Sequence, residues 1–346
     1  MKRKTSLAIV GLLAAAVLVA ATAASGGTSG ATGTRAGTIT AALISDVGKF
    51  NDKSFNQDQL AGLTRAKAQL GVKILPIQSN SSSDYLPNMT TAVREGAQLV
   101  MAAGFLLAPT LSQIASQFPN TDFTITDDSV KGPDFAKAKS IKNIEGLTYA
   151  SNEAGCLVGY LAAEMVKKQG GKQVMGAVGG LNIPSVNDYI VGYKHCAQMY
   201  EPSMKVIVGY SQDFVAQDKC KTVAQNQISQ GSQVEFQVAG GCGLGTLNAA
   251  AQAGIWGIGV DVDQYALAKN VLTSAIKRVD VGIFDAVKQV RDGKFMGGTD
   301  LLFNLKNNGV GVGKISPKVP AAFITAMNKI KAKLIAGTLK VPTTRT

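Results

Sequence analysis

The chain has 346 residues, enough for two domains of ordinary size. Its net charge is +12, yet aromatic residues make up only 6% and lysines such as Lys137, Lys139 and Lys142, or Lys329, Lys331 and Lys333, scatter along helix-like stretches, which reads as a solvated face and argues against a nucleic-acid binder. A single histidine, His195, next to Cys196, leaves little material for a Ser/His/Asp hydrolase or a histidine-held metal.

The chain opens with Lys2, Arg3 and Lys4, an apolar run over 7–21 and the A-x-A pattern Ala21-Thr22-Ala23. That order predicts a secretory signal peptide over 1–24 and an exported protein, in a periplasm or cell envelope. The run is shorter than the roughly 20 residues a spanning helix needs, and no later stretch qualifies. A Gly/Ser/Thr/Ala-rich leader over 25–37 reads as flexible.

The folded part begins with TITAALIS (38–45), β-branched and apolar, a predicted strand. The stretch SDVGKFNDKSFNQDQLAGL (45–63) follows, a loop of small and amide-bearing residues opening a helix with Leu60, Leu63, Ala66 and Leu70 at helical spacing. Open α/β folds bind ligands where strands end and helices begin. Asp46, Asn51, Asp52, Phe55 and Asn56 are therefore candidate ligand contacts, although Asn51 and Asp52 are equally good helix caps.

The remaining elements repeat. The first half continues with strand 72–78, a helix near 85–96, the strand QLVMAAG, the loop FLLAPT, a helix, and the strand DFTITDD ending at Asp128. The second half runs strand QVMGAVGG (173–180), loop LNIPSVND, helix YIVGYKHCAQMY, strand KVIVGYS, a helix through Cys220, strand QVEFQVAG, a Gly-rich loop, helix TLNAAAQAG, and strand IWGIGVD ending at Asp261. REGAQLVMAAG and SQGSQVEFQVAG align at matching places, so duplication in sequence predicts duplication in architecture. The fold class is α/β: two lobes, each a parallel sheet flanked by helices, with a cleft between. Residues 38–145 form lobe 1, completed by about 265–300, and 146–264 form lobe 2, completed by about 301–346, where LLFNLKNNGVGV reads as one strand and 321–336 as a final helix.

Cys156, Cys196, Cys220 and Cys242 are an even set in an exported chain and favour two disulfides in one lobe; of three possible pairings, Cys156 with Cys196 and Cys220 with Cys242 is the working choice. GGCGLGT (240–246) before a helix, with Asp261 about 20 residues on, imitates a dinucleotide fingerprint but lacks its last glycine. What survives is chemical: helix-start N–H groups and a carboxylate suited to sugar hydroxyls. Neighbouring residues on a strand point opposite ways, so only one of Asp127 and Asp128 can face the cleft; Asp128 is the candidate. Phe105, Phe214 and Phe55 sit in loops at sheet edges, where rings can stack on a flat ligand.

Taken together, DVGKFNDKSFNQ (46–57), AGGCGLGTLNAA (239–250), WGIGVDVDQ (256–264), VLTSAIKRVD (271–280) and EAGCLVGYLAAEM (153–165) resemble the basic membrane protein family, the purine nucleoside receptor A-like substrate-binding components of bacterial ABC transporters. The resemblance covers essentially everything after the leader. It implies a type I periplasmic-binding-protein fold that closes on a nucleoside, works without a cofactor and delivers its ligand to an ABC permease as a monomer, touching the membrane only through that permease. It further implies Asn51, Asp52 and Asn56 bonding base or ribose, Phe55 and Phe214 stacking on the base, Asp261 holding ribose hydroxyls, Lys277 assisting, and Gly241 letting backbone approach the ligand. Three features depart from the family pattern: YSQDF stands where a Gly-Ser-Phe run is usual; the first cysteine is Cys156, so no lipobox and no lipid anchor are expected; and the cysteine set is unusual, with Cys242 inside the ligand loop. A binding protein for a sugar or other ring metabolite, an extracytoplasmic sensor and a purine-releasing hydrolase are the alternatives.

Overall fold

The computed structural model describes residues 38–344; the expected signal peptide and leader lie outside the described residues. In chain order the elements are β1 (Thr40–Ile44), α1 (Phe55–Leu70), β2 (Lys73–Ile77), α2 (Tyr85–Arg94), β3 (Leu99–Ala102), α3 (Ala108–Ala115), β4 (Asp122–Thr126) and β5 (Ile144–Tyr149). Then come α4 (Ser151–Gln169), β6 (Val174–Gly179), α5 (Pro184–Tyr200), β7 (Lys205–Tyr210), α6 (Gln217–Ser229), β8 (Val234–Val238), α7 (Gly243–Gln252) and β9 (Trp256–Asp261). The chain ends with β10 (Val271–Lys277), α8 (Val279–Arg291), β11 (Asp300–Phe303), β12 (Val310–Val312) and α9 (Ala321–Ile335).

The strands form two six-stranded sheets in matching order, β11-β5-β4-β3-β1-β2 and β12-β10-β9-β8-β6-β7. All pairings are parallel except β10 with β12. Central strands such as β3, β8 and β9 are buried at every residue, as expected for strands covered on both faces. The edge strand β2 is half exposed and tolerates Pro76, whose missing N–H faces no partner strand there.

Three expectations are corrected. Residues 265–300 do not all complete the first lobe: β10 pairs with β9 in the second sheet, and only α8, packed on α1 and β4, and the edge strand β11 belong to the first. LLFNLKNNGVGV is two strands in different sheets, β11 beside β5 and β12 beside β10. β5 itself lies in the first sheet, so that lobe runs to Tyr149 rather than 145. Apolar runs announce strands, but pairing partners are a long-range matter that local pattern does not encode.

The chain therefore passes between lobes three times, at 149–151, 277–279 and 303–310. Tyr149 and Phe303, at the first and third passages, stack with ring centroids 4.9 Å apart.

Both disulfides lie in the second lobe, Cys156 to Cys196 and Cys220 to Cys242. The first joins α4 to α5, whose backbones approach so closely that a Cβ on Gly159 would stand 2.2 Å from the carbonyl oxygen of Tyr193. Gly159→Val forces the two helices apart against a covalent tie and should cost about 1–3 kcal/mol, read from denaturant unfolding; an unchanged midpoint would show that the crossing has slack.

Candidate functional site

The loop after β1 is organised by its own carboxylates. Asp52 accepts from Ser54 N–H at 2.9 Å, Asn56 N–H at 2.8 Å and Gln57 N–H at 3.1 Å, so it satisfies the otherwise orphaned donors at the start of α1. Capping and site-building are thus the same act. Asn56 is a buried bridge: its Nδ2 donates to Asp46 Oδ1 at 2.7 Å and to Asp52 Oδ2 at 3.1 Å, while its Oδ1 accepts from Asp46 N–H at 3.2 Å. Gly48 N–H donates to Asp46 Oδ1 at 2.7 Å. Burial pushes Asp46 up to about 7 despite those hydrogen bonds, and burial likewise raises Asp52. A carboxyl near 7 is able both to donate and to accept at neutral pH.

From the second lobe, β9 ends at Asp261 and β10 ends at Lys277. Lys277 Nζ stands 2.6 Å from Asp127 Oδ2 and 3.6 Å from Asp261 Oδ1, all three being buried. The same ammonium lies 4.8 Å from the centre of the Phe55 ring and 5.3 Å from that of Tyr189. Asp261 also accepts from Ser54 Oγ at 2.6 Å and from Tyr189 Oη at 3.3 Å, the first of these across the cleft. Burial raises the Asp261 carboxyl, and the Lys277 charge works against it. Asp127 and Asp261 both have left-handed backbones, φ +68° and +63°. Such strain in residues with side chains is concentrated at functional sites.

These groups enclose one cavity between the lobes, with about 560 Å³ of space between its lining atoms, part of it open to solvent. Of the residues expected from the sequence, Asp46, Asp52, Phe55, Asn56, Phe105, Phe214, Asp261 and Lys277 line it. Glycines seat two of the rings: a Cβ on Gly104 would be 3.0 Å from the Phe55 ring, and one on Gly180 would be 2.3 Å from that of Phe214.

Three expected residues lie elsewhere. Asn51 is exposed on the outer side of its loop. Asp128 accepts from Ser129 N–H and is turned away, while Asp127 occupies the wall, because the left-handed turn at Asp127 sets the direction in place of strand alternation. Gly240, not Gly241, lines the cavity; a Cβ on Gly241 would meet Asp52 Cα at 3.5 Å, an ordinary contact, so Gly241 lies where the two lobes' loops face each other.

The residues missed by sequence reasoning are chiefly Tyr189, Ser185 and Val186. LNIPSVND was read as loop, but Pro184 opens α5 at its first turn, which brings Ser185 and Tyr189 to the same sheet edge that Phe55 and Asn56 occupy in the first lobe. Pro at a helix start was the available signal. No group of three or more metal-ligating side chains is arranged to hold a metal among the described residues, and no helix among them is long and apolar enough to cross a membrane.

A family model described as ABC transporter substrate-binding protein PnrA-like matches residues 39–345. The chain is similar to the ABC transporter nucleoside-binding protein BmpA of Lactococcus lactis subsp. cremoris, with 32% identity covering 98% of this chain and 99% of that protein. It is also similar to basic membrane protein D of Borreliella burgdorferi, with 29% identity over 88% of this chain and 87% of the relative. An uncharacterized lipoprotein of Pyrococcus horikoshii is 31% identical over 90% of this chain and 77% of its own length, so the relatives do not support the expectation of a chain without a lipid anchor. Among solved structures, an ABC transporter solute-binding protein from Aeropyrum pernix shares the fold, with a TM-score of 0.77 at 24% identity over 89% of this chain and 94% of that one. The architecture is that of the periplasmic-binding proteins, and the chain belongs to the Bmp family of PnrA-like ABC transporter substrate-binding proteins, whose role is to bind a small molecule for a permease rather than to catalyse.

Proposed function

We propose that the protein is exported, captures nucleosides in the interlobe cavity, purine nucleosides foremost, and hands them as a monomer to its ABC permease. The observation that carries this reading is the joint lining of one cavity by Phe55 and Phe214 with carboxylates from both lobes. Rings suit a flat base. Asp46, Asp52 and Asn56 are placed for a base edge with donors and acceptors, and Asp261 with Lys277 for sugar hydroxyls. The Lactococcus relative is itself named as a nucleoside-binding protein. Closure about the three passages would let ligand contacts to both lobes shift an open–closed equilibrium.

A thermal-shift panel of nucleosides, free bases and sugars tests the assignment. Purine nucleosides should raise the melting temperature most, with no product formed on prolonged incubation. Stabilisation by sugars alone, or release of free base, would overturn it.

A further inference from the structure

The motif WGIGVDVDQ ends on Gln264, a fully buried residue that lines no part of the cavity. Its Oε1 accepts from Val260 N–H at 3.1 Å and from Gln237 Nε2 at 2.6 Å. Gln237 is held in turn by Ala239 N–H, which donates to its Oε1 at 3.0 Å. Backbone N–H groups only donate, so these bonds settle which end of each amide faces which way. The group left over, Gln264 Nε2, donates across the cleft to the main-chain carbonyl of Lys53 at 3.0 Å. Lys53 lies between the cavity residue Asp52 and Ser54, with a left-handed backbone at φ +56°. The main chain of Gln264 is itself tied to β10, its N–H donating to Ser274 Oγ at 3.0 Å. A rigid relay in the second lobe therefore ends in one donor aimed at the first.

We propose that Gln264 is a closing latch and Gln237 its positioning partner, together setting how long the lobes stay shut without touching what lies between them. The inference rests on the hinge-closing role proposed above. The cross-cleft bond forms only when the first-lobe loop is seated on the second lobe, so its loss acts on ligand departure rather than arrival. Because no ligand atom takes part, it also biases the ligand-free chain toward closure.

Gln264→Glu keeps an acceptor for Val260 and Gln237 but replaces the Nε2 donor with an oxygen facing a carbonyl. Gln237→Glu keeps the acceptor for Ala239 and sets an oxygen against Gln264 Oε1 in place of a donor, while altering no residue that itself bonds across the cleft. At pH 9, which favours the ionised carboxyl, both variants should release a nucleoside at least about threefold faster than the unaltered chain, the minimum expected for one lost hydrogen bond. Association rates should stay within about twofold, and the ligand-free variants should show a larger radius of gyration in small-angle scattering. Slower association with unchanged dissociation, or equal rates with superimposable scattering curves, would overturn the latch. If no nucleoside binds the unaltered chain, the nucleoside reading fails and the scattering comparison alone decides the latch. Should Gln264→Glu fail to fold, Gln237→Glu carries the same comparison.

Discussion

Lys277→Met should lower the stability of the folded chain by about 3–5 kcal/mol at neutral pH and abolish ligand binding with it. Lys277 is only 3% exposed, and its ammonium stands between the carboxylates of Asp127 and Asp261. Methionine matches its length and apolar stem but removes the ammonium that lies between the two buried acids. The cost comes less from a lost attraction than from charge left in a low-dielectric site. It should therefore shrink as the pH falls and Asp261, whose carboxyl burial raises, takes up a proton. Adding Asp127→Asn to the variant should restore part of the stability by removing one of the charges. Urea unfolding at pH 7.5 and pH 5 measures all three points; a loss below about 1 kcal/mol at pH 7.5 would mean that the site is wetter than its geometry implies.

Asp46→Asn should act in the opposite direction. In the folded chain burial holds the Asp46 carboxyl near 7, against an ordinary 3.8. Below about pH 4 the carboxyl is protonated whether the chain is folded or not, and it has no effect. Between 4 and 7 the folded chain holds a proton that the unfolded chain has released, so this group makes stability fall as pH rises. Above 7 the full cost is present, at most about 4 kcal/mol. Asparagine keeps an oxygen for Gly48 N–H and Asn56 Nδ2 but does not ionise. The variant should be more stable than the unaltered chain by about 2–4 kcal/mol at pH 8 and equal to it near pH 4, while binding its small-molecule ligand about tenfold more weakly because an acceptor in the cavity wall becomes a donor. Parallel pH-stability curves for the two proteins would remove Asp46 as the source of the slope. The trade of stability for function is common at binding sites.

Much of this was legible in the sequence, for identifiable reasons. Matching runs such as QLVMAAG and QVEFQVAG announced two lobes, and the first loop announced its own capped helix start. What escaped notice depends on geometry that no local pattern carries. The buried face of α1 includes the polar Asn56 and Gln59, the latter accepting from Thr126 Oγ1 at 2.8 Å, where apolar spacing pointed to Leu60 and Leu70. Asp127 rather than Asp128 faces inward because of one backbone angle. The sheet that β10 joins is decided by β9, its neighbour in space as well as in sequence, and by the passage at 277–279 that sends α8 back to the first lobe. The cysteine pairing came out as chosen, although spacing alone left two other pairings open.

The third passage between lobes bears on how the molecule is completed during synthesis. β11 and β12 are the outer strands on the corresponding edge of each sheet, and they lie within a short stretch, residues 300–312, after nearly everything else has been made. On a chain that emerges from its N-terminus, neither lobe acquires its last strand until that stretch appears, and both then acquire it almost together. A chain stopped before residue 300 lacks one edge strand of each sheet rather than the whole of either lobe, so neither sheet is complete until that stretch is made.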